Sequence, residues 1–389
     1  MGYECSWDAT GMAKTLGGIN SYLEEFMYSL RDDFFEDLRL GRYLVVMPIS
    51  RFVLEEKFTL GKFSFYPAGE IDVEELRVVP NKTMEMLDSG IGIIVAEGQD
   101  LRELKSSASG ICADVFCTNV CVAFTADIEW DDFLQGTHET DILLINTLSQ
   151  DVEKAMDLIR FYFCRFDLPD TLPGQVGTWQ GSNGFSGALL YNLFDNESYV
   201  IGGSVVTHFT VKGSGLELAG SQTLSIENHP LMGNNIGEVG NIARMALNLN
   251  SGVFEANNIT TKFIRAMNLL EFLAYPDEYK KFELVKKEIS CHIAATNQQY
   301  HKLLDRFYEL TGKKDDITGE IIGYRTRIVH IGTTLEEILV NEKDRNDLLL
   351  ELQGYICSVI EDMIENMDKT WEDFLKYRNQ LKINLGLKD

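Results

Sequence analysis

Gly323-Tyr324-Arg325-Thr326-Arg327-Ile328-Val329-His330-Ile331-Gly332 is the stretch on which the architecture of the C-terminal third turns. A glycine that closes an amphipathic run is a helix stop, because it adopts the left-handed backbone that ends helices. Residues 317–330 are therefore expected to be a helix that stops at Gly332. Five steps of 100° separate Arg325 from His330, which puts the two side chains about 140° apart around the axis. His330 falls in the last turn, where the helix dipole favours a protonated imidazole.

Outward from this stretch the texture stays helical. Residues 259–273 carry Phe263, Met267, Leu270, Phe272 and Leu273 as a broad apolar stripe, which Pro276 ends. Helices are also expected over 282–295, 301–308, 347–367 and 370–385. Thr334 is placed to cap another, with Glu336 and Glu337 in its first turn. Helices joined by short polar links imply an antiparallel bundle.

Before residues 230–255 the pattern changes. Short β-branched and aromatic runs at 43–49, 57–66, 91–96, 120–126, 141–146 and 199–211 read as strands. Helical spacing interrupts them at 19–40 and 151–166. An α+β domain over residues 1–230 followed by an all-α domain over 231–389 is the expected organisation, with the helix at 236–249 able to join either.

The chain of 389 residues carries a net charge of −25. Residues 255–389 hold 19 basic and 24 acidic residues, so only −5 of that charge lies there and −20 lies before it. A wide duplex-binding surface is disfavoured, while a local basic cleft in the last third is not. No apolar run approaches the roughly 20 residues that span a bilayer, so no membrane partner is expected. The first residues have no signal-peptide character, although Gly2 and Ser6 fit the loose myristoylation pattern. Seven scattered cysteines suit reduced thiols, and a cytoplasmic location is expected.

No motif in the first domain identifies a catalyst. The Gly, Ser and Asn of 174–187 lack the spacing of a phosphate loop, and Lys14-Thr15 has no glycine immediately before it. Cys112, Cys117 and Cys121 miss the CxxC spacing. The last two are expected to point from one strand into a core. His138-Glu139 lacks a second histidine. The expectation is that no metal or cofactor is needed.

The chemistry of Arg325 and His330 suits phosphodiester cleavage. Metal-independent RNA cleavage needs a 2′-hydroxyl activated, a leaving oxygen protonated and phosphorane charge neutralised. Histidine moves protons near neutrality, and arginine stays charged and grips phosphate oxygens in a fork. The pattern R-x4-H near a helix end resembles the signature of HEPN ribonucleases. The fuller string around Arg325 and His330 is similar to the version in ApeA-like HEPN domains, although Ile331 intervenes before the glycine that usually follows the histidine.

Asn268-Leu269-Leu270-Glu271-Phe272-Leu273 is similar to the family's first long helix, with Glu271 matching its acidic position, and 348–360 resembles the apolar helix after the motif. The resemblance covers roughly residues 255–389. It implies a metal-independent endoribonuclease in which two copies combine Arg325 and His330 in one composite site, hence a homodimer acting on RNA. Thr326 stands at a usually polar position and could orient either catalytic group. Arg327 is either a phosphate contact or a solvated surface residue. Glu271 could hold Arg325 in place by a charge-assisted pair, or form an ordinary internal salt bridge, and the two readings are not exclusive. The N-terminal domain would then sense or regulate, with an unknown trigger, as in toxins and anti-phage effectors. The competing reading is a non-catalytic dimerising scaffold whose N-terminal domain binds a ligand or protein.

Overall fold

The computed structural model describes residues 28–72, 76, 114–180, 185–194, 197–204, 213–312, 319 and 323–387. The sequence expectations at 19–27 and 91–96, and those for Gly2, Lys14 and Cys112, lie outside the described residues. The chain divides into two compact units. The first takes the described residues through Ser149, with Gln175–Val205 and Leu218–Leu224; the second takes Gln150–Gly174, Val206–Glu217 and Ser225–Asp389.

The first unit is built on an antiparallel sheet with a few helices. Short helices α1 (Leu30–Asp33) and α2 (Phe35–Arg39) precede strand β1 (Tyr43–Ile49). Then come β2 (Phe52–Leu54), β3 (Phe58–Leu60) and β4 (Phe63–Tyr66). Helix α3 (Asp114–Thr118), strand β5 (Val120–Ala126) and helix α4 (Trp130–Gln135) follow. Helix α5 (His138–Phe163) leads on to strands β6 (Phe185–Asn192) and β7 (Glu197–Ser204).

The sheet runs β3-β4-β5-β1-β6-β7, every neighbouring pair antiparallel. β1 lies inside it, Val45 opposite Phe124 on one side and Leu190 on the other. Its run of apolar residues is buried on both faces, as an interior strand covered twice must be. Leu44 and Val46 share one core with Leu30, Leu38, Tyr66, Leu189 and Tyr191.

Several sequence expectations are corrected here. Residues 57–66 form a hairpin, β3 and β4, around a two-residue loop in which Gly61 has φ +65°. Residues 141–146 are helical, inside α5. Thr137 starts that helix by accepting from the Thr140 amide at 3.4 Å. Cys117 and Cys121 do not share a strand. Cys117 lies on α3 and Cys121 on β5, where burial pushes its thiol well above the usual range. The described part of the expected helix at 19–40 is instead α1 and α2, which meet at Phe34.

The second unit is predominantly helical. After β8 (Leu216–Leu218) and the turn of helix α6 (Gly220–Thr223), it contains α7 (Glu238–Phe254), α8 (Ile259–Ala274), α9 (Phe282–Ile293) and α10 (Asn297–Thr311). It continues with α11 (Tyr324–Ile331), α12 (Leu335–Ile338), α13 (Glu342–Glu365) and α14 (Trp371–Asn384). Asn258, Thr296, Asn341 and Thr370 cap the starts of α8, α10, α13 and α14 with their side chains. Thr334 and Glu337 form a capping box on α12. Among the described residues no helix is long and apolar enough to cross a membrane.

Two observations tie segments of unclear sequence assignment to this unit. The Gly237 and Gly240 amides donate to Met367 O at 2.8 and 3.1 Å, an approach that side chains at those positions would block. So α7 belongs with the helices. Within Gln150–Gly174, fully buried Arg160 pairs with Glu153 at 2.7 Å and Asp157 at 3.2 Å, and Asn248 of α7 donates to Asp157 at 3.3 Å. Lys262 of α8 donates to Phe166 O at 2.9 Å, and Gln353 of α13 bonds both Cys164 O and the Phe166 amide at 2.8 Å. The division at residue 230 therefore does not describe this segment. Its buried polar groups find their partners among the helices, as buried polar groups must.

Candidate functional site: the Arg325 helix and its supports

α8 turns Phe263, Met267, Leu270 and Leu273 into the core, and this leaves Glu271 half-buried in its last turn. α11 presents Arg325 toward it. Arg325 Nη2 lies 2.9 Å from Glu271 Oε1, the side chains being 27% and 21% exposed. Burial raises the Glu271 pKa and the Arg325 charge opposes that rise. The Nε of Arg325 is sheltered from solvent and has no hydrogen-bond partner among the described residues.

The start of α11 is fixed by backbone contact with the end of α10. The Gly323 amide donates to Gly312 O at 3.0 Å. A Cβ on Gly323 would lie 2.5 Å from Gly312 backbone atoms, so only glycine allows the approach. Thr326 completes the seam by donating its hydroxyl to Thr311 O at 3.1 Å. That bond anchors the helix and leads to neither Arg325 nor His330.

The end of α11 follows the expected geometry. Gly332 is left-handed at φ +80°, its amide reaching Ile328 O at 3.1 Å, and the Thr333 amide reaches Arg327 O at 3.3 Å. Ile331 is the last helical residue, so the extra residue before the glycine lengthens the helix without displacing its cap. His330 is exposed and lies between Val329 and Ile331, which are 53% and 58% exposed. Among the described residues, no hydrogen bond or ion pair joins His330 to Arg325, Thr326, Arg327 or Glu271. Arg327 lies in electrostatic reach of Glu337. The Glu337 carboxyl is held below its usual range first by the Thr334 amide and hydroxyl, and then by Arg327.

One supporting group has no signature in the sequence. His292 of α9 lies between Asp362 of α13, 2.5 Å from its Nδ1, and Arg378 of α14, whose Nε donates to Nε2 at 2.9 Å. Arg378 has no side-chain exposure and also donates to Leu273 O at 2.6 Å and Ala274 O at 2.8 Å. These are the terminal carbonyls of α8, the helix that carries Glu271, and a helix end left buried without partners is costly. Because Nε2 accepts from Arg378, Nδ1 must carry the proton toward Asp362. Burial keeps this imidazole neutral by lowering its pKa. His292, Asp362 and Arg378 lie 70 and 86 residues apart along the chain, so no local spacing could have grouped them.

Among the described residues no group of His, Cys, Asp and Glu side chains is arranged to hold a metal ion. Compared with protein-family models, curated proteins and solved structures, the chain matches none.

Proposed function

We propose that the helical unit is a metal-independent HEPN-type endoribonuclease, with Arg325 and His330 as its catalytic pair and two chains supplying one composite site. The first unit would sense or regulate, as in a toxin or an anti-phage effector. The observation that carries this reading is the division of labour along α11. Arg325 is aimed inward and held by Glu271, while His330 stands exposed at the other end, with no hydrogen bond or ion pair among the described residues.

In the proposed reaction an imidazole removes the proton of a ribose 2′-hydroxyl. That oxygen attacks the adjacent phosphorus, and the bond to the 5′-oxygen breaks as that oxygen takes up a proton. A guanidinium neutralises charge on the non-bridging oxygens. One helix aims two groups about 140° apart poorly at one phosphate, so a twofold-related pair of helices is part of the proposal. Glu271 is a positioning residue in this scheme, and Thr326 fixes the helix.

The exposed apolar residues Val329 and Ile331 favour a second reading, a dimerising scaffold without chemistry, since they suit pairing whether or not His330 reacts. Cleavage of RNA in EDTA separates the two. The nuclease reading expects the parent chain to cut and His330→Ala to lose cutting by at least about a hundredfold while keeping its fold and oligomeric state. A variant that cuts as well as the parent ends that reading.

A further inference from the structure

We propose that His292 is an acid-sensitive latch: a proton on its Nε2 expels Arg378 and opens the junction of α8, α9 and α14. The latch works whether or not the chain cuts RNA.

The geometry leaves the ring one state in which it can hold the junction. A guanidinium keeps its charge and has no acceptor, so Arg378 Nε can only donate, and it donates to His292 Nε2 at 2.9 Å. A proton on Nε2 would set two N–H donors against each other, an imidazolium beside a guanidinium. Neither side chain has any exposure, so neither can turn into water where it stands. Phe374 stacks on the imidazole with centroids 5.7 Å apart, and its ring also lies 5.0 Å from the guanidinium carbon. The same guanidinium donates to Leu273 O and Ala274 O, so expelling it uncaps the end of α8. Glu271 lies two residues before the first of those carbonyls, and opening would loosen its hold on Arg325.

The groups that face the ring do not replace Arg378. Asp362 of α13 is engaged with Nδ1 at 2.5 Å. Glu288, on α9 itself, is held by Lys382 of α14 at 2.7 Å. Cys291 of α9, Tyr377 of α14, Tyr300 of α10 and Tyr275 just past α8 are pushed above their usual ranges, first by burial, and stay neutral. Histidine is the side chain that changes charge in mildly acid solution. Burial lowers the His292 pKa in the closed junction, and opening restores a value of about 6.5. The proton is therefore taken up on opening, so the open form gains as pH falls through about 6.5. One unit lower, the gain is about tenfold. Glu255 at the end of α7 acts with the opposite sign, since burial raises its pKa to about 7, so a local measurement is needed to separate the two.

Hydrogen exchange of the full chain, read by mass spectrometry of its peptides at about pH 7.5 and 5.5, makes that measurement when labelling times are scaled for the slower chemistry in acid. Opening of peptides from the end of α8, α9 and α14 should rise about tenfold in acid, while β1 and β5 stay within about twofold. His292→Gln keeps an acceptor for Arg378 and does not titrate here, so its acid response should shrink to within about twofold. An acid response equal to the parent's in that variant overturns the latch. If the variant fails to fold, the parent decides alone: opening that does not change, or that rises equally in the sheet, overturns it too. Imidazole 15N shifts at neutral pH should place the His292 proton on Nδ1, and a proton on Nε2 removes the premise.

Discussion

Arg325 and Glu271 are 54 positions apart in the chain and 2.9 Å apart in space. The pair is half-withdrawn from water, so each partner is poorly hydrated and depends on the other. Glu271→Leu, which leaves the Arg325 guanidinium without its acceptor, should therefore lower stability by about 1–2 kcal/mol in urea unfolding. A loss below about 0.3 kcal/mol would place the pair with exposed ion pairs that contribute almost nothing. This contact was legible before the structure, because a resemblance paired the two positions. The roles of Thr326 and Arg327 were left open by the sequence, since one polar atom can reach many partners. The structure gives Thr326 a backbone partner on α10 and sets Arg327 near Glu337.

Arg378 acts on whole elements. It closes the end of α8 through two carbonyls and fixes the tautomer of His292, thereby joining α8, α9 and α14. Arg378→Met keeps most of the apolar stem but leaves those acceptors buried without donors, at a cost of about 3–5 kcal/mol. Thermal unfolding should show the drop, and a loss under about 1 kcal/mol would mean that water replaces the guanidinium freely. Helix types in the last third were legible because capping residues and apolar stripes agree there. The run at 141–146 misled because Ile142 and Ile145 resemble strand residues when read alone. Its continuation through Leu148, Val152, Ala155, Met156 and Ile159, all buried, carries the helical spacing that decides the matter. Strand β6 is hard to read because Ser186, Gly187 and Asn192 break its apolar run and nearly every residue is buried, so no alternation shows.

At the scale of the whole molecule, burial of acidic groups makes stability depend on pH, and Glu255 carries a large shift. Burial raises the Glu255 pKa to about 7 against the opposing pull of Arg160. A carboxyl whose folded pKa lies above its unfolded value contributes stability at low pH and loses it as pH rises through the folded value. The urea midpoint should therefore fall as pH rises from 4.5 to about 7 and level off above it, by an amount equivalent to on the order of 1–3 kcal/mol. Glu255→Gln should flatten that slope, and an unaltered slope would assign it to other groups.

The interleaving of the units along the chain has a further bearing on handling. Since α5 changes allegiance between Ser149 and Gln150, and Gln175–Val205 returns to the sheet before the chain rejoins the helices, neither unit is one continuous length of polypeptide. A protease nick near residue 230 would keep every segment of the first unit on one piece and strip the second of Gln150–Gly174 and Val206–Glu217.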